Sequence, residues 1–403
     1  METFVYLHLD GAFIPIGKLY FEDMGVESRS VFAYGKKYLQ KKSVISIDPI
    51  GLPLKDQEFS TEIDTPIFNV FRDSAPDNWG RYILTKRFNR ELTELEYVLA
   101  VGGNRVGALA YGPDLSGPKI LGPDGYEAYE IKDFDLEYSL NSIDLIVTNS
   151  KSESLKEFLR YGSSLGGARP KAHVKIDGEH YIAKFSVSFD QRNEPLIEYA
   201  CMRLAQMCGL DMPEIKMVKI LGRDVFLIKR FDRIVEKKLM NLHFISALTA
   251  TGLHERDYAS WSYPHIVQAI TNLSFQSAQD KTELYSRMIF NILVNNDDDH
   301  MRNHGFLHIG KNRWKLSPLY DVVPRSQRSN TFRLALNIGS YAKEASKRNA
   351  LSASNYFGIN LKDAEEIWNN LEEIVSSQWQ KVFLDSGLSK KEVMMFDGCI
   401  GGK

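Results

Sequence analysis

The stretch that decides the fold is Asn295-Asn296-Asp297-Asp298-Asp299-His300-Met301-Arg302-Asn303-His304-Gly305. It overlaps the end of MIFNILVNN, an apolar run of helical character, so the acidic triplet sits where a buried element surfaces. Asp298 and Asn303 stand five apart, the spacing of a kinase catalytic loop. In such a loop the Asp orients the attacking hydroxyl and accepts its proton, while the Asn ligates Mg²⁺. GFLHI, a turn at Gly310-Lys311-Asn312-Arg313 and WKLSPLYD follow, a two-stranded hairpin that delivers Asp321 to the slot of a second metal-binding group. Mg²⁺ needs hard oxygen ligands in near-octahedral geometry, and one Asp, one Asn, phosphates and water supply them. Two other readings stand beside this one. Three adjacent Asp are commonly a solvated turn, and His300, His304 and His308 at i, i+4 and i+8 would line a helix as metal ligands. Gly305 and the run Phe306-Leu307-His308-Ile309 argue that the helix stops first, which ranks the metal-hydrolase reading below the kinase one.

Upstream, Ser163-Ser164-Leu165-Gly166-Gly167-Ala168-Arg169-Pro170-Lys171 narrowly misses a Walker A loop. Gly162 and Gly167 have the right separation, but Ala168 and Arg169 stand where Lys-Ser/Thr belongs. What remains is a glycine pair whose backbone N–H groups suit phosphates, with Arg169 and Lys171 adding positive charge. Alone, it would read as a plain turn. In YIAKFSV, Ile182 and Lys184 share one face of an alternating strand, and burying a lysine needs a reason. A kinase supplies one: a strand lysine that grips α- and β-phosphates and pairs with a helix carboxylate, here Glu198. Separately, Lys184 reads as an exposed strand face and Glu198 as a solvated helix flank. In this order, with the Asp298 cluster downstream, those bland readings lose.

The rest of the chain frames these motifs. Its 403 residues are 43% hydrophobic and 25% charged, which excludes a mostly disordered chain. Fifty Lys and Arg against 52 Asp and Glu leave a net charge of -2, without the basic excess that non-specific nucleic-acid binding requires. Cys201, Cys208 and Cys399 make neither a disulfide framework nor a CxxC zinc site. METFVYLHLDGAF lacks a basic region followed by an apolar core, and no stretch approaches a membrane span. The expectation is a reduced, soluble, cytoplasmic protein with no membrane association. Residues 4–22 read as strand, Asp10-Gly11 turn, strand; a helix capped by Ser74 or Asp73 begins near Pro76; NRVGALAYG reads as a strand. AHVKI and YIAKFSV form a hairpin at Asp177-Gly178, and 194–208 is the clearest helix. Gly and Pro crowd residues 112–126, the best boundary. The expected fold is α+β and bilobal, of protein-kinase type. Residues 1–112 form an added β-rich N-terminal subdomain, 113–238 an N-lobe with the Gly-rich loop, and 239–403 a mainly helical C-lobe with the catalytic loop.

SLGGARPKA, YIAKF, EYACMRLA, LIKRFDR, NDDDHMRNHGF and LSPLYDV, with APDNWGR ahead of them, resemble in sequence and order the HipA-type serine/threonine kinases, the toxins of HipA–HipB toxin–antitoxin systems. The resemblance covers nearly the whole chain. It implies a kinase-like fold using ATP and Mg²⁺, with Asp298 as catalytic residue, Asn303 and Asp321 as metal ligands and Lys184 as the ATP lysine. It further implies that Phe226 to Lys229 reach the nucleotide hinge and that Gly166, Gly167, Ala168, Arg169 and Lys171 surround the phosphates. Ser164 matches the position where family members autophosphorylate, and the neighbouring Ser163 leaves that assignment a doublet. The partners it implies are a small DNA-binding antitoxin like HipB, with DNA reached only through it, and a protein substrate such as an aminoacyl-tRNA synthetase. One departure stands out: many members carry Gln-Glu-Asp after the histidine matching His243, where this chain has Phe244-Ile245-Ser246. A catalytically weak co-repressor that acts by binding its partner, and a small-molecule kinase, are the alternative functions.

Overall fold

In the computed structural model, which describes residues 1–24, 27–63, 65–129, 136–148, 169–186, 190, 192–236, 238–326 and 332–401, the chain begins with an antiparallel hairpin. Strands β1 (Glu2–Leu9) and β2 (Ala12–Glu22) meet at Asp10-Gly11, both left-handed with φ of 51° and 80°. That is the geometry a two-residue hairpin turn demands. Strands β3 (Arg29–Tyr34), β4 (Glu58–Ser60) and β5 (Leu109–Gly112) complete a five-stranded sheet in the order β4-β3-β2-β1-β5. Strand β5 is shorter than NRVGALAYG promised. Buried arginines claim the carbonyls of the preceding loop: Arg230 donates to Asn104 and Arg105, and Arg233 to Arg105 and Gly107.

Four short helices accompany this sheet: α1 (Lys36–Leu39), α2 (Asn69–Asp73), α3 (Asn78–Phe88) and α4 (Glu94–Leu99). The cap of α3 is Asp77, whose Oδ1 accepts the Gly80 N–H at 2.7 Å, and not Ser74 or Asp73 as expected. Those two residues end α2 instead. The Asp73 carboxylate is already engaged elsewhere, by the Ser246 N–H, the Thr249 hydroxyl and Arg302.

The Gly- and Pro-rich stretch holds a small hairpin, β6 (Lys119–Gly122) and β7 (Gly125–Ala128), followed by helix α5 (Leu136–Thr148). A second sheet, in the order β10-β11-β9-β8, contains β8 (Lys171–Ile176), β9 (Glu179–Phe185), β10 (Ile215–Ile220) and β11 (Arg223–Lys229). Between β9 and β10 lies α6 (Glu194–Met207), started by the Asn193 cap and Pro195. Its Ile197, Ala200, Cys201, Leu204 and Ala205 are all buried, as the 3.6-residue spacing requires.

After the hairpin β12 (Arg233–Val235) and β13 (Leu239–Asn241), the chain turns helical: α7 (Ala247–Thr251), α8 (Tyr263–Leu273), α9 (Ser277–Leu293), α10 (Lys347–Ala353), α11 (Leu361–Asp385) and α12 (Lys390–Met394). It also carries a third sheet. The expected hairpin, β15 (Gly305–His308) with β16 (Trp314–Leu316), gains β14 (His243–Ser246) on its other edge.

One large apolar cluster runs from Val5 through α6 to Ile400, so the first sheet and the helical lobe share a core. A second cluster covers the outer face of β8, β9 and β11, where Ala172, Val174, Ala183 and Phe185 meet Trp79 and Ile83 of α3 and Leu140 and Ile143 of α5. Among the described residues, no helix is long and apolar enough to cross a membrane.

Candidate active site

Lys184 lies on β9 directly between Phe226 of β11 and Lys171 of β8. Strand alternation turns Ala183 and Phe185 outward into the second core and Lys184 inward. There its ammonium donates to Glu198 at 2.6 Å and to Asp321 at 2.9 Å. Glu198 is held in place because α6 packs against both β11 and α11, and Arg203 on the same helix donates to the Ser386 hydroxyl at 3.1 Å. Asp321 arrives with φ of 61°, a left-handed backbone that non-glycine residues adopt at a cost and that clusters at functional sites. Burial alone would lower the Lys184 ammonium, but the Asp321 and Glu198 carboxylates more than offset it, and Lys184 is raised. Burial works against the Asp321 carboxylate too, and the lysine overcomes it, bringing Asp321 down to about 2.

The catalytic-loop stretch begins where α9 ends. Asn295 turns left-handed at φ 57°, and its side chain and carbonyl bond the backbone of Arg325. Asp299 is buried, accepting from the Tyr263 hydroxyl and paired with His304 at 3.0 Å. That anchor shapes the loop. Residues Met301–Asn303 form a single tight turn and β15 follows at once, so His300, His304 and His308 never share a helix. Among the described residues no three His, Cys, Asp or Glu groups are placed to hold a metal ion, which removes the metal-hydrolase reading. The Asn303 amide donates to the Asp298 carbonyl at 2.9 Å, leaving its oxygen as the unused acceptor among the described residues. With the second oxygen of Asp321 it forms a pair of hard donors that suits Mg²⁺ when phosphates and water fill the remaining positions. The Asp298 side chain is 67% exposed and stands 3.7 Å from Arg325.

A cleft of about 390 Å³ joins these groups. Lys171, Ile182 and Lys184 line it from the second sheet, Lys229 to Asp232 from the connection between lobes, and His300, Asn303 and Asp321 from the helical lobe. Of the remaining expected residues, Arg169 stays outside the cleft, paired with Asp190 at 2.9 Å and Glu194 at 3.4 Å. Phe226 is a correction. It is fully buried and packs edge-on against Tyr199 of α6, so it backs the site, and Ile228 lines the cleft instead. Lys229 does line it, tethered to Glu179 at 3.1 Å. Ser163, Ser164, Gly166, Gly167 and Ala168 lie outside the described residues. Asp298 is not among the residues that line the cleft; its backbone carbonyl accepts from Asn303, which does line it.

Sequence reasoning missed an entire wall. Arg72, Asp73, Asp77, Asn78 and Arg81 of the first 112 residues close one side, bound to the helical lobe by Asp73–Arg302 at 2.7 Å and Arg72–Glu255 at 2.8 Å. APDNWGR was the available signal, but nothing in a linear pattern says that a distant loop reaches a cleft. Phe244 packs against Phe231 and Tyr320 in the floor, and Ser246 caps α7.

The family model for the HipA-like C-terminal domain matches residues 163–379, and that for the HipA N-terminal domain matches residues 8–112. The chain belongs to the HipA family. A relative from Haemophilus influenzae, named "Putative kinase", is 26% identical over 203 residues, 45% of this chain and 59% of that protein, so the match spans less than two thirds of the relative's length. A second, "Putative kinase Y4dM" from Sinorhizobium fredii, is 23% identical over 314 residues, covering 74% of this chain and 72% of the relative. The HipA fold itself is shared with the Shewanella oneidensis MR-1 toxin–antitoxin complex of HipA, HipB and operator DNA. There the likeness covers 98% of this chain and 94% of the other, with a TM-score of 0.71 at 16% identity.

Proposed function

We propose that the protein is an ATP-dependent protein serine/threonine kinase that acts as the toxin of a type II toxin–antitoxin pair. The observation that carries this reading is the Lys184 ammonium held by Glu198 and Asp321, one carboxylate beside the second sheet and the other from the helical lobe. A lysine so fixed keeps its charge and its position for the α- and β-phosphates. Ile182 and Ile228 supply apolar walls for the adenine, beside the connection at Lys229 to Phe231. Bound by Asn303 and Asp321, Mg²⁺ supplies charge neutralisation at the phosphates. Asp298 orients the acceptor hydroxyl and takes its proton. Its exposure, outside the residues that line the cleft, favours a hydroxyl presented on a protein over a small molecule enclosed within the site.

Growth arrest through phosphorylation of a translation component, such as an aminoacyl-tRNA synthetase, belongs to this proposal. So does a HipB-like antitoxin that makes the DNA contact, and the solved HipA–HipB–operator complex supports that part. Self-phosphorylation at Ser164 would end activity by placing charge beside the ATP phosphates, whereas a phosphate on Ser163, one residue further out, would leave partial activity. The proposed setting is the cytoplasm. The test is γ-³²P transfer by the purified chain to itself and to lysate proteins, compared with Asp298→Asn and read by phosphoproteomics. Label that depends on Asp298 supports the kinase. No label in any fraction would leave the co-repressor reading, and label confined to small molecules would leave the small-molecule kinase.

A further inference from the structure

The cleft contains a second buried lysine. Lys171 is the direct cross-strand neighbour of Lys184, is 3% exposed and lines the same cavity. Its ion-pair partner among the described residues is Asp77, at 3.4 Å, with both side chains 4% exposed. Asp77 belongs to the first 112 residues, not to either lobe. Its two oxygens do different things. Oδ1 caps α3 by accepting the Gly80 N–H, whereas Oδ2 accepts no hydrogen bond and faces the Lys171 ammonium. We propose that Asp77 is a positioning residue for nucleotide binding: it holds the Lys171 ammonium at the phosphate end of the cleft, so that the N-terminal subdomain completes the site. The inference rests on the kinase reading above.

The physical reason is desolvation. A lysine removed from water without a counter-charge withdraws to solvent or gives up its proton. Asp77 is the counter-charge that stands opposite Lys171, yet the separation is wide and none of the lysine's three donors is in a hydrogen bond to the described residues. Those donors are left for an anionic ligand. Burial pushes the Asp77 carboxyl up to about 6 even though the Lys171 ammonium opposite pulls it down. The support is rigid. Trp79 and Ile83, on the helix that Asp77 caps, pack against the outer face of β8 and β9, so Asp77 and Lys171 move as one body.

Asp77→Asn separates this role from a purely structural one, because Asn caps helices as well as Asp but carries no charge. In the full-length protein, Asp77→Asn should keep a single cooperative unfolding transition, at a melting temperature lowered by the unpaired lysine, and raise the KM and Kd for ATP about tenfold, with kcat changed far less. Lys171→Met should do the same, and the double variant should bind no worse than Lys171→Met alone. ATP constants for Asp77→Asn within about twofold of wild type, tighter binding, or losses that multiply in the double variant would overturn the inference while leaving the kinase reading intact. Absence of any ATP binding by the wild type, read by direct titration, would overturn both.

Discussion

Lys184, Glu198 and Asp321 illustrate how one residue's environment is set by two others that arrive from different lobes. The lysine is held charged by the carboxylates, and Asp321 is held ionised by the lysine. Asp298 has a different position and a different role. Exposed, with an ion pair to Arg325 that is too open to contribute much to stability, it is accessible to an acceptor under the proposed function. Asp298→Asn should therefore lower transfer by roughly 10²–10⁴-fold and leave ATP affinity within a few-fold of wild type, because the carboxylate acts in the transition state. Steady-state rates and isothermal titration check both halves. Asp321→Ala should behave oppositely and abolish the ATP- and Mg²⁺-induced rise in melting temperature. A retained rise would mean that another group holds the metal.

Among elements, the three-stranded sheet beneath the catalytic loop matters most. Gly305 begins β15 where an added Cβ would meet the Phe244 ring at 2.2 Å and the Ile245 carbonyl at 3.0 Å. Gly305→Ala should cost about 1–3 kcal/mol and depress activity, since the displaced ring lies in the cleft floor; urea unfolding and transfer rates measure the two effects. On the same sheet His243 and His308 face each other across β14 and β15, both buried. His243 donates to the Ile47 carbonyl at 2.7 Å, and burial lowers both rings to about 4. Their folded-state values lie below the unfolded 6.5, so the unfolded chain takes up protons first. The stability they contribute is present above pH 6.5 and is lost as pH falls toward 4, on the order of 3 kcal/mol for each histidine. Urea midpoints between pH 7 and 5 should fall, and His308→Gln should flatten that fall. An unchanged slope in the variant would contradict the assignment.

At the scale of the whole molecule, the first 112 residues cannot be treated as an appendage. Their sheet shares its core with the helical lobe, and α3 covers the second sheet. Arg230 and Arg233, neutralised by Asp232, lock the connection between lobes onto Asn104 to Gly107. A fragment 113–403 should lose the cooperative unfolding transition of the full chain, because deletion exposes both cores and leaves buried arginines without acceptors; calorimetry on the fragment is the check. Whole-chain charge bears on partners in the same way. With a net charge of -2, the purified protein alone should give no specific gel shift with operator DNA at physiological salt, and a tight specific shift would refute the need for a partner.

What the chain states by itself is whatever local chemistry encodes. The Asp10-Gly11 and Asp177-Gly178 turns, the α6 stripe and the short-range spacing of Asp298 to Asn303 all depend on neighbours within a few residues, and all were readable. The order of Lys184, Glu198, Asn303 and Asp321 was readable too, and the fold brings three of them to one cleft with Glu198 behind Lys184. Tertiary structure alone decided that Phe226 backs the site although it shares a strand face with Ile228 and lies opposite Lys184, because Tyr199 of α6 packs against its ring. It also decided the cap of α3, since Asp73 was engaged by Arg302, more than two hundred residues away in the chain. The same holds for β14, four residues too short to show a period, and for the Asp77 wall of the cleft. Contacts of that separation leave no local pattern: they exist only once burial has made an unpaired charge costly enough to select its partner.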